Sequence, residues 1–136
     1  MEKFSVLLFV CLMLTASYSQ SEEAKLKITS PTDNQKVNMR TKVVGTVKDS
    51  DAVVWVVIHP LETSDYWVQP KVSKDTNATG EFTWKVMAYF GDETSAGKEF
   101  EIKAVGNPEA DLAEGDVLSD WPEAEYSSEL VDVTRK

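Results

Sequence analysis

The stretch Ala52–Pro60, AVVWVVIHP, limits the fold more than any other part of the chain. In an extended chain Ala52, Val54, Val56 and Ile58 point to one side, and Val53, Trp55, Val57 and His59 to the other. Both sides are apolar, and Val and Ile dominate. A strand with one wet face would alternate; this one does not, so it is expected at the centre of a sheet and covered on both faces. Its length, its β-branched content, the Asp49-Ser50-Asp51 before it and Pro60 after it favour a strand over a buried helical segment.

Other segments alternate as half-buried strands do. Lys25–Ser30 places Leu26 and Ile28 inward, and Ser30-Pro31-Thr32-Asp33-Asn34 is a turn cluster. Val37 resumes a short edge segment. Thr41–Val47, TKVVGTV, is a second strand; Gly45 within it predicts a bulge or the close approach of a backbone or large ring, with Trp55 as the neighbour. The tight Lys48–Asp51 connection predicts a hairpin with the central strand. Tyr66–Gln69 is a short edge strand closed by Pro70, which Lys71–Ser73 extends. Asp75–Gly80 is a turn, and Asn77-Ala78-Thr79 within it is a glycosylation sequon that the turn explains without a sugar. Glu81–Phe90 alternates cleanly, with Phe82, Trp84, Val86, Ala88 and Phe90 on one face. Glu99–Val105 repeats the pattern with Phe100, Ile102 and Ala104 inward, and Tyr126–Val133 closes the chain.

The start of the chain bears on its compartment. Met1-Glu2-Lys3, an apolar run Val6–Leu14 and small or polar residues Thr15–Ser19 are laid out as a secretory signal. Cleavage is expected between Ser19 and Gln20, with Ala16 as the alternative end, leaving a loose leader 20–25 and one domain, 26–136. The run is far shorter than the ~20 residues of a membrane span, so no membrane attachment is expected after cleavage. The one cysteine, Cys11, falls inside the run. The mature domain then has no disulfide, and a secreted, periplasmic or cell-surface location follows.

The formal net charge is −9. Ala104–Thr134 has no Lys or Arg and many acids, which excludes nucleic acid as a partner. Gly106–Glu125, GNPEADLAEGDVLSDWPEAE, is too long and acidic for a simple hairpin loop. A helical turn is expected over Glu109–Ala113, and Trp121 argues against pure disorder. About seven short strands with turns between them make an all-β antiparallel sandwich with a long acidic loop before its last strand. Trp55, Phe82, Trp84, Phe100, Ile102 and Ile28 are expected between its two sheets.

On the opening ITSPTDNQKV, the VVGTV strand, the Trp-bearing VVWVVIHP and GEFTWKV after a Gly turn, the chain resembles the immunoglobulin-like and fibronectin-III-like modules of prokaryotic exported proteins. The resemblance covers Leu26 to about Val105. It implies an immunoglobulin-like sandwich. It also implies a role in adhesion, in carbohydrate or protein binding, or as a spacer.

For catalysis the chain offers one histidine, His59, at the end of the buried strand, where a packing or capping role is expected. No enzyme is expected. Asp111, Glu114, Asp116 and Asp120 crowd one loop and supply oxygen ligands of the kind calcium takes, without EF-hand spacing; no other cofactor is expected. Tyr66, Trp67, Trp121 and Tyr126 lie outside the clean core strands. With His59 they form a candidate recognition surface, with Trp67 and Trp121 meeting between the two long loops. The expected function is an exported, non-catalytic binding or adhesion module for a carbohydrate or protein of the cell envelope. The alternative is a structural or protective envelope component with no small ligand. An exposed Trp67 or Trp121 would mark the first; burial of both rings with a pairing-competent edge strand would mark the second.

Overall fold

Strands succeed one another with short turns along the whole described chain, residues 24–76 and 82–136 of a computed structural model. The expected signal segment 1–19, the Ser19–Gln20 cleavage point, leader residues 20–23 and the sequon lie outside the described residues. The strands are β1 Leu26–Ser30, β2 Gln35–Val37, β3 Arg40–Val47, β4 Val54–Pro60, β5 Tyr66–Val68, β6 Ser73–Thr76, β7 Phe82–Tyr89, β8 Glu99–Pro108, β9 Val117–Leu118, β10 Ala124–Ser127 and β11 Val131–Arg135. They form a smaller sheet, β1-β3-β7-β6, and a larger one, β2-β11-β8-β4-β5-β9, with β10 also on β8. The result is an all-β sandwich of two sheets.

Several local expectations are corrected. β2 runs parallel to β11, so the sandwich is not wholly antiparallel. The Lys48–Asp51 connection is not a hairpin: β3 pairs with β1 and β7, and β4 pairs with β8 and β5 in the other sheet. The chain crosses between sheets here, and Lys74 braces the crossing by donating from Nζ to the carbonyls of Ser50 at 2.9 Å and Ala52 at 2.7 Å. β6 does not extend β5 but joins the smaller sheet beside β7. Glu109–Ala113 forms no helical turn. The last strand divides into β10 and β11, both on β8. Ser128 bridges the break: its amide donates to the Ala104 carbonyl, and its Oγ accepts from the Ala104 amide.

The main core lies between the sheets. Val54, Val56 and Ile58 of β4, Trp84, Val86 and Ala88 of β7, and Phe100, Ile102 and Ala104 of β8 fill it. Gly45 meets the close approach its place in β3 predicts, but from other partners than expected. A Cβ there would run into the Lys27 carbonyl of β1 and the indole of Trp84. Trp84 is held at this position by its Nε1, which donates to the Thr46 carbonyl at 3.2 Å.

Trp55 is not between the sheets. With Val57, Val68 and Val105 it forms a second apolar cluster, on which Tyr66, Leu112, Leu118, Trp121 and Ala124 pack. β4 is therefore covered on both faces, as its composition requires. The second cover is the acidic segment, folded as a flap over the outer face of the larger sheet. Its base is closed by the Glu109 amide on the Glu123 carbonyl. Its tip is tied to β5 by the Gly115 amide on the Val68 carbonyl and the Val68 amide on the Asp116 carbonyl, and β9 pairs alongside.

Tyr126 is anchored in this frame. It packs against the main core, its hydroxyl donates to Asp49 Oδ2 at 3.1 Å, and the Lys25 ammonium lies 5.9 Å from its ring centre. Burial, then the bond to Asp49, raises the Tyr126 pKa. A raised folded value means that the contribution is whole below the unfolded tyrosine value, about 10, and is lost as pH rises through the folded value. The stability advantage of the native chain over Tyr126→Phe is therefore expected to shrink above about pH 10, as denaturant melts across alkaline pH would show.

Candidate functional site

The sheet divides the candidate residues into two groups. Successive side chains of a strand point to opposite faces, so Tyr66 and Val68 face the flap while Trp67 faces the other way. Trp67 and Trp121 consequently do not meet.

On the flap side, His59 stacks on Tyr66 with ring centres 4.0 Å apart and planes 4° from parallel. Trp121 stands edge-on to Tyr66 at 4.8 Å and to His59 at 6.0 Å. The Lys103 ammonium lies 5.4 Å from the Trp121 ring centre. His59 is only 8 % exposed, and its Nδ1 lies 3.0 Å from the Asp65 carbonyl. This is the packing role expected of it: the imidazole closes one end of the outer cluster and fixes the loop after β4. Two rings and a backbone carbonyl thus hold the imidazole in place.

On the other side, Trp67 is 42 % exposed and lines a cleft of about 420 Å³ at one end of the sandwich. Ile58 and Phe100 of the core reach its lining, Pro60 and Pro70 contribute apolar edges, and Tyr89, 47 % exposed, lies at its border. The chain leaves β5 here to cross to the smaller sheet. Gln69 ties the two sheets at that crossing: its Oε1 accepts from the Tyr89 amide at 2.8 Å, and its Nε2 donates to the Trp67 carbonyl at 3.2 Å. Gly91 opens the β7–β8 turn with φ at +76°, a conformation that favours glycine. Asp92 organises the same turn; its Oδ1 accepts from the amide and hydroxyl of Thr94 and from Ser95 Oγ. Chiefly through the Thr94 hydroxyl and amide, these bonds hold the Asp92 carboxyl below the ordinary aspartate range. Glu114 and Gly115 of the flap tip complete the lining.

Tyr89, Gln69 and Asp92 were not singled out from sequence. Alternation does place Tyr89 on a wet face, which was the one available sign. The other two matter because two loops distant in sequence converge.

The four acids expected as calcium ligands, Asp111, Glu114, Asp116 and Asp120, are not brought together. Among the described residues no three His, Cys, Asp or Glu side chains are grouped so as to hold a metal ion. Asp116 Oδ2 accepts from the Ala113 amide and Asp120 Oδ1 from the Trp121 amide, so both carboxylates shape the flap. Glu114 lines the cleft.

No family model matches this chain, and no curated protein matches it. Among solved structures, it is similar to a chain from work on the structural basis of T cell specificity and activation by the bacterial superantigen toxic shock syndrome toxin-1. The overlap has 8 % identity and a TM-score of 0.41, covering 84 % of this chain and 100 % of that one. A likeness that loose carries no functional argument.

Proposed function

We propose that this chain is an exported, non-catalytic binding module that takes a sugar ring of an envelope glycan in the cleft beside Trp67. The observation that carries the reading is the exposed indole of Trp67 at the edge of a mostly apolar cleft. An indole offers a broad apolar face to the C–H face of a sugar with little loss of rotamer freedom. The cleft volume, about 420 Å³, falls in the range of small-ligand sites, ~300–1,000 Å³. His59 is engaged by a backbone carbonyl and two rings, which supports a role without chemistry. A structural component without a small ligand would leave both candidate indoles buried, and Trp67 is not. Export rests on the signal-like residues 1–19.

Tryptophan fluorescence of the mature chain, titrated with envelope polysaccharides, tests this. A saturable change is expected. Trp67→Ala should weaken binding about thirtyfold or more, the ~2 kcal/mol of an aromatic anchor. Trp121→Ala should leave affinity close to that of the native chain. Equal binding by Trp67→Ala, or no response to any glycan, would remove the reading.

A further inference from the structure

Resting on that reading, we infer that Tyr89 is a second stacking platform and that the bound glycan is a chain of at least two sugar units, one on each ring. Among the described aromatic side chains, Trp67 at 42 % and Tyr89 at 47 % are the two that are exposed. Every other described Trp, Tyr and Phe is buried or half-buried. The two stand on strands of different sheets, β5 and β7, yet both line the one cleft. Gln69, itself buried, fixes the spacing of their backbones. Its side-chain amide fills the gap between them: Nε2 donates to the Trp67 carbonyl at 3.2 Å, and Oε1 accepts from the Tyr89 amide at 2.8 Å. The backbone amide of Gln69 donates to the Val56 carbonyl at 2.9 Å, which anchors the bridge in β4. A planar amide engaged at both ends leaves the two backbones little freedom to drift apart. Arg40 props the Tyr89 ring from β3, 5.2 Å from its centre, and the ring is still the more exposed of the two. Each exposed ring offers one broad apolar face, which one pyranose can cover. When one chain meets both rings, the second contact is intramolecular and multiplies the effect of the first. A single sugar satisfies only one ring.

The probes are size-separated fragments, from one to about six sugar units long, of the polysaccharide that shifts the fluorescence of the native chain. Calorimetry reads their binding in every variant, including one that lacks an indole. Affinity should rise at least about tenfold between a single unit and the shortest fragment that reaches both rings, and should level off in longer fragments. Tyr89→Ala should remove that gain and leave the affinity for a single unit unchanged; the side chain is exposed, so this variant should fold as the native chain does. Tyr89→Phe, which keeps the ring, should keep the gain. Gln69→Leu, titrated below its melting range, should lose most of the gain while still binding a single unit. A gain no larger than the number of units in the fragment, which extra binding registers alone would give, would overturn the inference. A gain that survives Tyr89→Ala would overturn it as well. In both cases the glycan reading would still stand on Trp67. Native affinity of Trp67→Ala for every fragment would end that reading itself.

Discussion

Gly45→Ala is expected to be among the most damaging single substitutions in this chain, destabilising it by about 3 kcal/mol, the upper end for an overpacked core. The added methyl would meet the Lys27 carbonyl of β1 and the ring of Trp84 of β7, so it is pinched between the two strands that flank β3. Neither neighbour yields cheaply. The carbonyl belongs to a paired strand, and the indole is fully buried and bonded to the Thr46 carbonyl. Denaturant melts of Gly45→Ala, Trp84→Leu and the double variant separate the two obstacles. Trp84→Leu alone should cost roughly 3 kcal/mol through the cavity it leaves. The double variant should cost less than the sum, by at least ~0.5 kcal/mol, because the smaller side chain makes room for the methyl. Strict additivity would show that the ring is no obstacle and that the β1 backbone alone sets the limit.

Arg135→Met is expected to cost about 2–4 kcal/mol and to weaken binding in the cleft as well. Arg135 is buried at the end of β11, and its Nη1 donates to the carbonyls of Phe90 and Asp92, both at 2.7 Å. Hydrogen bonds from a charged donor are worth more than neutral ones, and methionine keeps the aliphatic volume while removing both. The two carbonyls belong to the turn that carries Asp92 into the cleft lining. Chemical denaturation should report the stability loss. A glycan titration below the melting range should show weaker affinity even while the chain is folded. Arg135→Lys should be milder on both counts, since one ammonium can reach two carbonyls from a slightly shorter stem. Unchanged affinity in folded Arg135→Met would mean that the turn holds its place without the guanidinium.

The sandwich was legible in the sequence because its strands are written in alternation. Phe82, Trp84, Val86 and Ala88 against Thr83, Lys85 and Met87 allow only one burial pattern for β7, and the structure has it. β4 was legible in kind and ambiguous in orientation. Both of its sides are apolar, so nothing local could tell which one faces the other sheet, and Trp55 went to the wrong layer. The crossing from β3 to β4 was illegible for a related reason: a short polar connection suits a hairpin or an arch between sheets, and distant partners on β7 and β8 decide between them. The flap was illegible because Leu112, Leu118 and Trp121 follow no helix or strand period; they are spaced to fit the surface beneath them. Of the candidate site, Trp67 was read from its residue type and its place in an edge segment. The cleft around it depends on the convergence of three loops, which no single stretch encodes.

The flap couples the history of two parts of the chain. In a sandwich without it, the outward side chains of β4 and β8 would face water and would be polar. Here Trp55, Val57 and Val105 are buried beneath the flap. The flap and these positions can therefore change only together. A relative with a short connection in place of 109–123 should carry polar residues where this chain has Trp55, Val57 and Val105. A relative that keeps those three apolar should keep a long insertion with an aromatic side chain near the place of Trp121.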